Sequence, residues 1–392
     1  MLPFAFDRLD RYAIRLLAGP LAMSLVTLLL ATLLGRLLRL FDLAASTGVG
    51  PVSVMWLAGN LVPHYLGLAL PMAFTAAVFM ASARMCDDNE LDVMLGTGRS
   101  IARVAAPYFM LALLLSVFNV YLFGQLQPLT RYNYHIGVDA ALNTAWDAKV
   151  EENRFIDTGE GFSFSADAVE SDGRHLRGVF AERRNANGEE ITTAARGLIL
   201  PAPDGHGLLL RLEDGLIVRE RKDGSVTTAR FEHGHVIDLS PQRAALRVRG
   251  ESTSERTMFE LWRDIGTGDR DSAAEFHGRL ARILLPPLLP LLAMPLGMAS
   301  KRGHRGPGIV FASLALLALN HSLQFGQSLA ESGHVAPVTA VWTPFALFAL
   351  LSLWIFCRSL AWPGDNPVSR AVVAFEHVVE RLRPQRRPGG GA

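Results

Sequence analysis

Six long apolar runs constrain the fold of this chain more than any other feature of its sequence. Each approaches or exceeds the ~20 residues that a helix needs to cross a ~30 Å hydrocarbon core. The runs cover Leu16–Leu34, Leu57–Met85, Ile101–Phe123, Leu280–Ala299, Ile309–Leu329 and Val338–Phe356. They form two groups of three around a polar middle region, and 19% of the 392 residues are charged. The sequence therefore predicts a membrane protein with six transmembrane α-helices and one inserted aqueous domain.

Basic residues mark one side of the predicted membrane. They precede the first run, flank residues 87–98, separate the fourth and fifth runs and follow the sixth: Arg8, Arg11, Arg15, Arg84, Arg99, Arg103, Lys301, Arg302, Arg305, Arg358, Arg381, Arg383, Arg386 and Arg387. The connections Phe41–Val54 and Ala330–Val335 contain neither Lys nor Arg. The positive-inside rule places both termini and residues 87–98 in the cytoplasm, and the middle domain outside it.

A short charged segment, residues 87–98, joins the second and third runs. In a helix, Leu91, Met94 and Leu95 share one side, Glu90 lies next to them, and Gly96 and Gly98 end the turn. Such a helix on the cytoplasmic face is suited to being pushed by another protein. The alternative is a tight turn whose acidic side chains only face water.

The middle region, roughly Pro128–Ser254, has the pattern of short β-strands. Hairpin dipeptides recur in it: Asp172-Gly173, Asn187-Gly188, Asp204-Gly205, Asp214-Gly215 and Asp223-Gly224. Type I′ turns favour such pairs because both turn positions need positive φ. Leu208, Leu210 and Leu212 alternate with Leu209 and Arg211, as in a sheet with one buried face. We expect a β-sandwich or jelly-roll-like domain, followed by a short amphipathic helix at Thr257–Ile265.

Signatures of catalysis and cofactor binding are missing from the sequence. Its three lysines, Lys149, Lys222 and Lys301, do not follow glycine, so no P-loop can bind ATP. Neither a Gly-x-Ser-x-Gly elbow nor a His-Glu-x-x-His zinc motif occurs. The basic residues have a topological cause, which argues against nucleic-acid binding. We predict no catalytic residues, no metal and no cofactor.

Several motifs together resemble the lipopolysaccharide export permeases. They are Arg11-Tyr12 at the first run, Arg36 and Arg39 near its outer end, the Asn89-Glu90-Leu91-x-Val93-Met94-x-x-x-Gly98 turn, and Glu275-Phe276-His277-Gly278-Arg279-Leu280 at the fourth run. The resemblance covers nearly the whole chain. The last motif is more similar to the F-type than to the G-type subunit of the family. Asp92 and Gly96 depart from the usual pattern of the turn.

The resemblance implies a permease subunit of an ABC exporter in the bacterial inner membrane. Its implied partners are a cytoplasmic ATPase dimer, a second related permease of the G type, a bridge protein in the periplasm, and lipopolysaccharide itself. Exposing an acyl chain of about a dozen methylenes to water costs on the order of 10 kcal/mol, so simple desorption is excluded. Transport then needs ATP and a continuous apolar groove, for which the β domain is the candidate.

The resemblance also suggests roles for individual residues. Glu90, Leu91, Met94 and Gly98 would couple to the ATPase. Arg36 and Arg39 would bind the phosphates of lipid A, with snorkelling to ordinary headgroups as the alternative. The inward leucines Leu208, Leu210 and Leu212 would line the groove. Asn320, Gln324 and Gln327 recur on one helix face and would form a gate or, more simply, a hydrogen-bonded helix interface.

The predicted domains are residues 1–127, 128–265, 266–360 and a cytoplasmic tail at 361–392. Two other functions fit the same architecture. A different ABC permease could transmit force to a periplasmic partner without needing cationic residues at a lipid cavity. A sensor or scaffold could bind a ligand in the β domain and contact a signalling protein through residues 87–98.

Overall fold

A computed structural model of the chain describes residues 7–47, 49–147, 156–157, 162–170, 174–185, 188–201, 208–221, 225–232, 234–238, 249–250, 252–299 and 306–361. Lys301, Arg302, Arg305 and residues 362–392 of the predicted tail lie outside the described residues. The chain divides into two compact units. The membrane unit comprises residues 1–37, 58–134 and 249–392, and the β unit comprises residues 38–57 and 135–248.

The first three apolar runs form long helices. They are α1 (Arg8–Thr47), α2 (Pro51–Asp87) and α4 (Ile101–Tyr121), with a short helix α3 (Glu90–Gly96) between the last two. α4 continues through a π-helical turn (Leu122–Leu126) into α5 (Gln127–Asp147). The region from residue 128 to 147 is therefore helical, and the prediction of β structure there was wrong. The helix continues past Pro128 after the π turn, as other helices of this chain continue past Pro63 and Pro107.

The second group of runs includes one bent span. α7 (Arg270–Leu284), a 3₁₀ turn (Pro286–Leu288) and α8 (Leu289–Met298) together form the fourth span, with a bend of 42°. Two consecutive prolines, Pro286 and Pro287, cause the bend because neither can donate a backbone hydrogen bond. α9 (Gly306–Glu331) and α10 (Pro337–Ala361) follow. Within the described residues, five helices are long and apolar enough to span a membrane, or six with the bent pair.

An antiparallel sheet of seven strands lies in the middle of the chain. Its strands are β1 (Ile156–Asp157), β2 (Phe162–Val169), β3 (His175–Asn185), β4 (Gly188–Pro201), β5 (Leu208–Arg221), β6 (Val226–Phe231) and β7 (His235–Asp238). They pair in chain order from β1 to β6, and β7 pairs with β5. The predicted inserted β domain is confirmed, and its described strands form one continuous meander. A short helix, α6 (Met258–Ile265), follows where the sequence predicts it.

A crease crosses this sheet. Asp167, Gly178, Ala195 and Asp214 lie in one row on β2 to β5, and the strand register skips all three pairs between them. The buried positions also change parity at the row, for example from Leu176 to residues 179 and 181 on β3. The register is the same on both sides of the row, so no strand gains a residue relative to its neighbour, while the alternation of buried side chains shifts there on β3 and on β4. Gly178 has φ of 61°, and a Cβ there would overlap the Asp167 carboxylate.

The prediction of a hairpin at Asp214-Gly215 was wrong, because this pair lies inside β5. Asp214 has φ of 54°, and its N–H donates to the Glu232 carbonyl at 3.0 Å. The partner of β5 changes there, from β7 at Leu212 to β6 at Gly215. A break in pairing inside a strand can need positive φ as much as a turn does, so the dipeptide alone does not distinguish them. The other four dipeptides lie, wholly or in part, outside the described residues.

Candidate functional site

The segment between the second and third spans forms the predicted helix, α3. Leu91 is 5% exposed and belongs to the apolar core of the membrane unit, against which Met94 and Leu95 also pack. Gly98 has φ of 82°, which suits its predicted place at the end of the turn. Val93 is 68% exposed on the outer side. The side chain of Leu91 therefore fixes α3 to its own chain, and Val93 is the apolar side chain that a partner can reach.

Glu90 is held by the first helix. The Tyr12 hydroxyl lies 2.7 and 2.8 Å from the two carboxylate oxygens of Glu90 and donates to them. Both residues belong to the motifs that resemble the permease family, but the sequence does not predict their contact. They are 78 residues apart in the chain.

Two ion pairs strengthen the attachment of α1 to the turn after α3. The two terminal guanidinium nitrogens of Arg103, in the first turn of α4, donate to the Asp10 carboxylate at 2.8 and 2.7 Å. Arg99 donates to Asp7 at 2.6 Å, and this hydrogen bond holds the pKa of Asp7 below its usual value. We call Asp7, Asp10, Tyr12, Glu90, Arg99 and Arg103 the α1–α3 clamp. A displacement of α3 would thus be transmitted directly to the start of α1.

The two arginines near the far end of α1 have different environments. The Arg36 Nε donates to the Tyr65 hydroxyl of α2 at 2.5 Å, although Arg36 remains exposed. Arg39 is also exposed and makes no hydrogen bond or ion pair to the described residues. Their predicted role in binding phosphate stays a prediction.

A cavity of about 310 Å³ lies within the membrane unit. Its polar lining comprises His64, Gln127, Arg131, Glu275, Arg282, Asn320, Gln324 and Gln327, and apolar side chains such as Leu68, Met72 and Leu316 complete it. Arg131 makes no hydrogen bond or ion pair to the described residues. Arg36, Arg131 and Arg282 all lie near enough to act electrostatically on His64. The cavity thus combines positive charge with an apolar wall, a pairing that suits an amphipathic anion.

A buried charged cluster supports this cavity. Arg279 is 2% exposed, and its Nε donates to Glu275 at 2.8 Å. Its other nitrogens donate to four backbone carbonyls, those of Phe123, Arg256, Thr253 and Ser254. The cluster neutralises Glu275 and leaves Arg131 and Arg282 as the positive charges of the cavity. Glu275 and Arg279 belong to the motif at the fourth run, for which the sequence suggested no role. Their opposite charges at i, i+4 inside a span were the feature from which a buried ion pair could have been predicted.

Asn320, Gln324 and Gln327 all line the cavity from α9. The Gln327 side chain accepts from Arg282 at 2.9 Å and donates to Glu275 at 3.2 Å. A Cβ at Gly278 would overlap its amide, so glycine permits the close approach of α7 and α9. Asn320 and Gln324 make no hydrogen bonds to other described residues. The stripe therefore joins a helix contact at one end to a cavity wall at the other, and its predicted role as a gate is untested.

In the β unit, Leu210 and Leu212 are completely buried. They belong to an apolar core with Phe164, Leu176 and Val179, which lie on both sides of the crease. Leu208 pairs with Pro201 in the backbone register, and its side chain lies outside the described residues. The inward face is thus apolar, and contact with a lipid remains a prediction for all three leucines.

A family of known proteins matches most of the chain. The family model for the lipopolysaccharide export system permease LptF/LptG matches residues 11–358 of the 392. The model treats the two subunit types together and so does not distinguish F from G. No curated protein matches the chain. Among the described residues, no group of three or more His, Cys, Asp or Glu side chains could hold a metal ion.

Proposed function

The chain belongs to the LptF/LptG family of lipopolysaccharide export permeases, and we propose that it is one permease subunit of an ABC exporter. In this proposal it pairs with a second related permease on a cytoplasmic ATPase dimer, with both of its own termini in the cytoplasm. It takes lipopolysaccharide from the inner membrane and passes it to a periplasmic bridge protein. The glutamate-to-leucine motif at 275–280 favours the F-type subunit.

The cationic, partly apolar cavity is the observation that carries this proposal. Lipopolysaccharide has phosphates next to acyl chains, and the cavity places Arg131 and Arg282 next to leucines on α9. Arginine binds phosphate well because its planar fork matches two oxygens at once. A permease that only transmitted force would not need such a cavity. We therefore add Arg131 and Arg282 to Arg36 and Arg39 as residues for the phosphates.

The α1–α3 clamp supports the coupling part of the proposal. ATP hydrolysis by the partner would displace α3, and the clamp would carry that displacement to α1, on which Arg36 lies. Force can be transmitted only if α3 interacts differently with the two states of the ATPase. Because the chain lacks a P-loop, the isolated protein should neither bind nor hydrolyse ATP.

The test is photocrosslinking of lipopolysaccharide in the assembled complex. A photoreactive residue at Gln324, which lines the cavity, should capture the lipid, whereas one at the neighbouring Phe325, 69% exposed and outside the cavity lining, should capture much less. Arg131→Gln should reduce the capture at 324 several-fold. Equal capture at both positions, or capture unaffected by Arg131→Gln, would overturn the cavity as the lipid site.

Transfer from proteoliposomes to a periplasmic acceptor separates the alternatives. The exporter should transfer lipopolysaccharide with ATP and not without it. A sensor or scaffold would bind partners through α3 but show no ATP-dependent transfer.

A further inference from the structure

Two neighbouring aromatic side chains are exposed on the short helix α6. Phe259 is 67% exposed and Trp262 is 62% exposed, and their ring centroids are 6.4 Å apart. The opposite side of the helix is anchored: Leu261 is completely buried, and Met258 packs against Leu122 and Phe123. An aromatic pair left outside while aliphatic residues hold the helix in place indicates a surface for an apolar or amphipathic partner.

The packing of α6 fixes its depth along the spans. A Cβ built at Gly124 lies 3.7 Å from the Cβ of Met258. Arg279 bonds at the same time to the carbonyl of Phe123, at 3.2 Å, and to that of Arg256, at 2.7 Å. The apolar run of the third span ends at Phe123. α6 therefore lies at the level where the hydrocarbon-spanning segment of its neighbour stops.

Polar contacts hold the orientation of α6 as well. Thr257 and Glu260 form a capping box at its start, with the Thr257 N–H donating to the Glu260 carboxylate at 2.7 Å. Arg256 pairs with Asp264 at 3.2 Å and with Asp269 at 3.0 Å. With both ends of the helix fixed, Phe259 and Trp262 cannot rotate into the protein interior.

We propose that α6 is an interfacial helix whose Phe259 and Trp262 enter the headgroup boundary of the phospholipid bilayer. Aromatic residues are enriched at this level because the ring is apolar while the indole N–H can still reach water. A helix with one apolar and one charged side lies in this layer with its apolar side toward the acyl chains. The level of α6 next to Phe123 argues for lipid as the occupant, and a protein partner becomes an outcome of the test.

Nitroxide accessibility tests the proposal with the full chain in vesicles of phosphatidylethanolamine and phosphatidylglycerol, without lipopolysaccharide or ATPase. The exposed Cys357 is replaced by serine, while the buried Cys86 remains. A label at Phe259→Cys should collide readily with oxygen, which concentrates in lipid, and rarely with a water-soluble nickel chelate. The control is Val226→Cys on strand β6, where the side chain is 61% exposed. It lies off α6 because Arg263 is at i+4 from Phe259, on the same side of that helix. We expect the oxygen-to-nickel collision ratio to be at least threefold higher at 259.

Trp262→Cys provides a second probe should Phe259→Cys fail to fold. Nickel access at 259 equal to that at 226 would place α6 in water and overturn the proposal. Shielding of the label from both reagents would show contact with another protein chain and would overturn it too. Because the measurement involves neither export nor coupling, its outcome is independent of the proposed function.

Discussion

The membrane unit and the β unit bury different kinds of side chain. In the membrane unit an apolar core is accompanied by buried Arg279, Gln327 and Asp10. In the β unit, Thr192 is the only buried polar side chain among the described residues, and the core consists of Phe, Leu, Ile, Val and Ala. The physical reason is the solvent. Lipid gives helices no hydrophobic reason to associate, so polar contacts hold them, whereas a domain in water is stabilised by apolar burial.

This difference also suits a substrate with a charged and an apolar part. The membrane unit provides arginines at a cavity, and the β unit provides an apolar interior. We therefore expect the largest losses of stability from two kinds of change. A charge placed inside the β unit would be buried without a partner, and a buried charge removed from the membrane unit would leave its partner unpaired.

The largest effect is expected for Leu212→Asp. An unpaired carboxylate in the completely buried site of Leu212 should cost more than about 4 kcal/mol and disrupt the sheet. Protease resistance of the β unit and ATP-driven transfer to an acceptor should both be lost. The control is Leu216→Asp on the same strand, where the side chain is 38% exposed. Equal protease resistance and equal transfer by the two variants would mean that burial of Leu212 in the apolar interior does not stabilise the sheet.

Arg279→Met should come next. It removes five hydrogen bonds and leaves Glu275 without its ion-pair partner, at a cost of about 3–5 kcal/mol. The protein is heated in detergent, and the folded fraction that remains, measured by size-exclusion chromatography, reports the loss of stability. The double variant Glu275→Gln with Arg279→Met should recover part of it. Equal stability of the single and double variants would mean that Arg279 does not neutralise the buried charge of Glu275.

The α1–α3 clamp should respond differently from the interior, because most of its side chains are partly exposed. Glu90→Lys should prevent coupling, since Glu90 would have to pair with a basic residue of the ATPase and a broken, largely buried pair costs ~3–5 kcal/mol. Tyr12→Phe should keep assembly but lower the amount of lipid transferred per ATP, because α3 loses its link to α1. Asp88→Asn, which breaks only the exposed pair with Arg84, is the control. Normal assembly and transfer with Glu90→Ala and Glu90→Lys would remove Glu90 from the mechanism.

Arg36→Glu with Arg39→Glu should reduce crosslinking of lipopolysaccharide to α1 and leave folding intact, because both side chains are exposed. The reversed charges would repel the lipid phosphates. The folded fraction in detergent serves as the control measurement. Persistence of crosslinking and of cell viability would favour snorkelling to ordinary headgroups.

The smallest effect concerns pH. Hydrogen bonds from Ser272 and Arg256, and from backbone N–H groups, hold the pKa of Asp269 below its usual value of 3.8. Its stabilising contribution is thus complete above that value and is lost only as the pH falls through the lowered pKa. The melting temperatures of the wild type and of Asp269→Asn should differ by a constant amount between pH 5 and 7 and converge below about pH 4. A difference that changes between pH 5 and 7 would assign the effect to another group.

The sequence by itself determined the parts that rest on local pattern. Apolar length predicted the spans, the helical spacing of Leu91 and Met94 predicted α3, and alternation predicted the burial of Leu210 and Leu212 on β5. The places where local pattern failed are those where one pattern serves two structures. Asp214-Gly215 suits a break inside a strand as well as a hairpin, and Pro128 lies inside a helix rather than at the start of β structure.

Only the tertiary structure decided which distant residues meet. Tyr12 contacts Glu90 across 78 residues, and Arg279 reaches the carbonyl of Phe123 across 156. The cavity exists because α2, α5, α7 and α9 each contribute one wall, and the crease exists because the pairing of four strands is interrupted in the same row. Periodicity reports which face of an element is apolar, but it contains no information about the element against which that face packs. That choice is made by shape and by the pairing of buried charges, which arise only when the whole chain is folded.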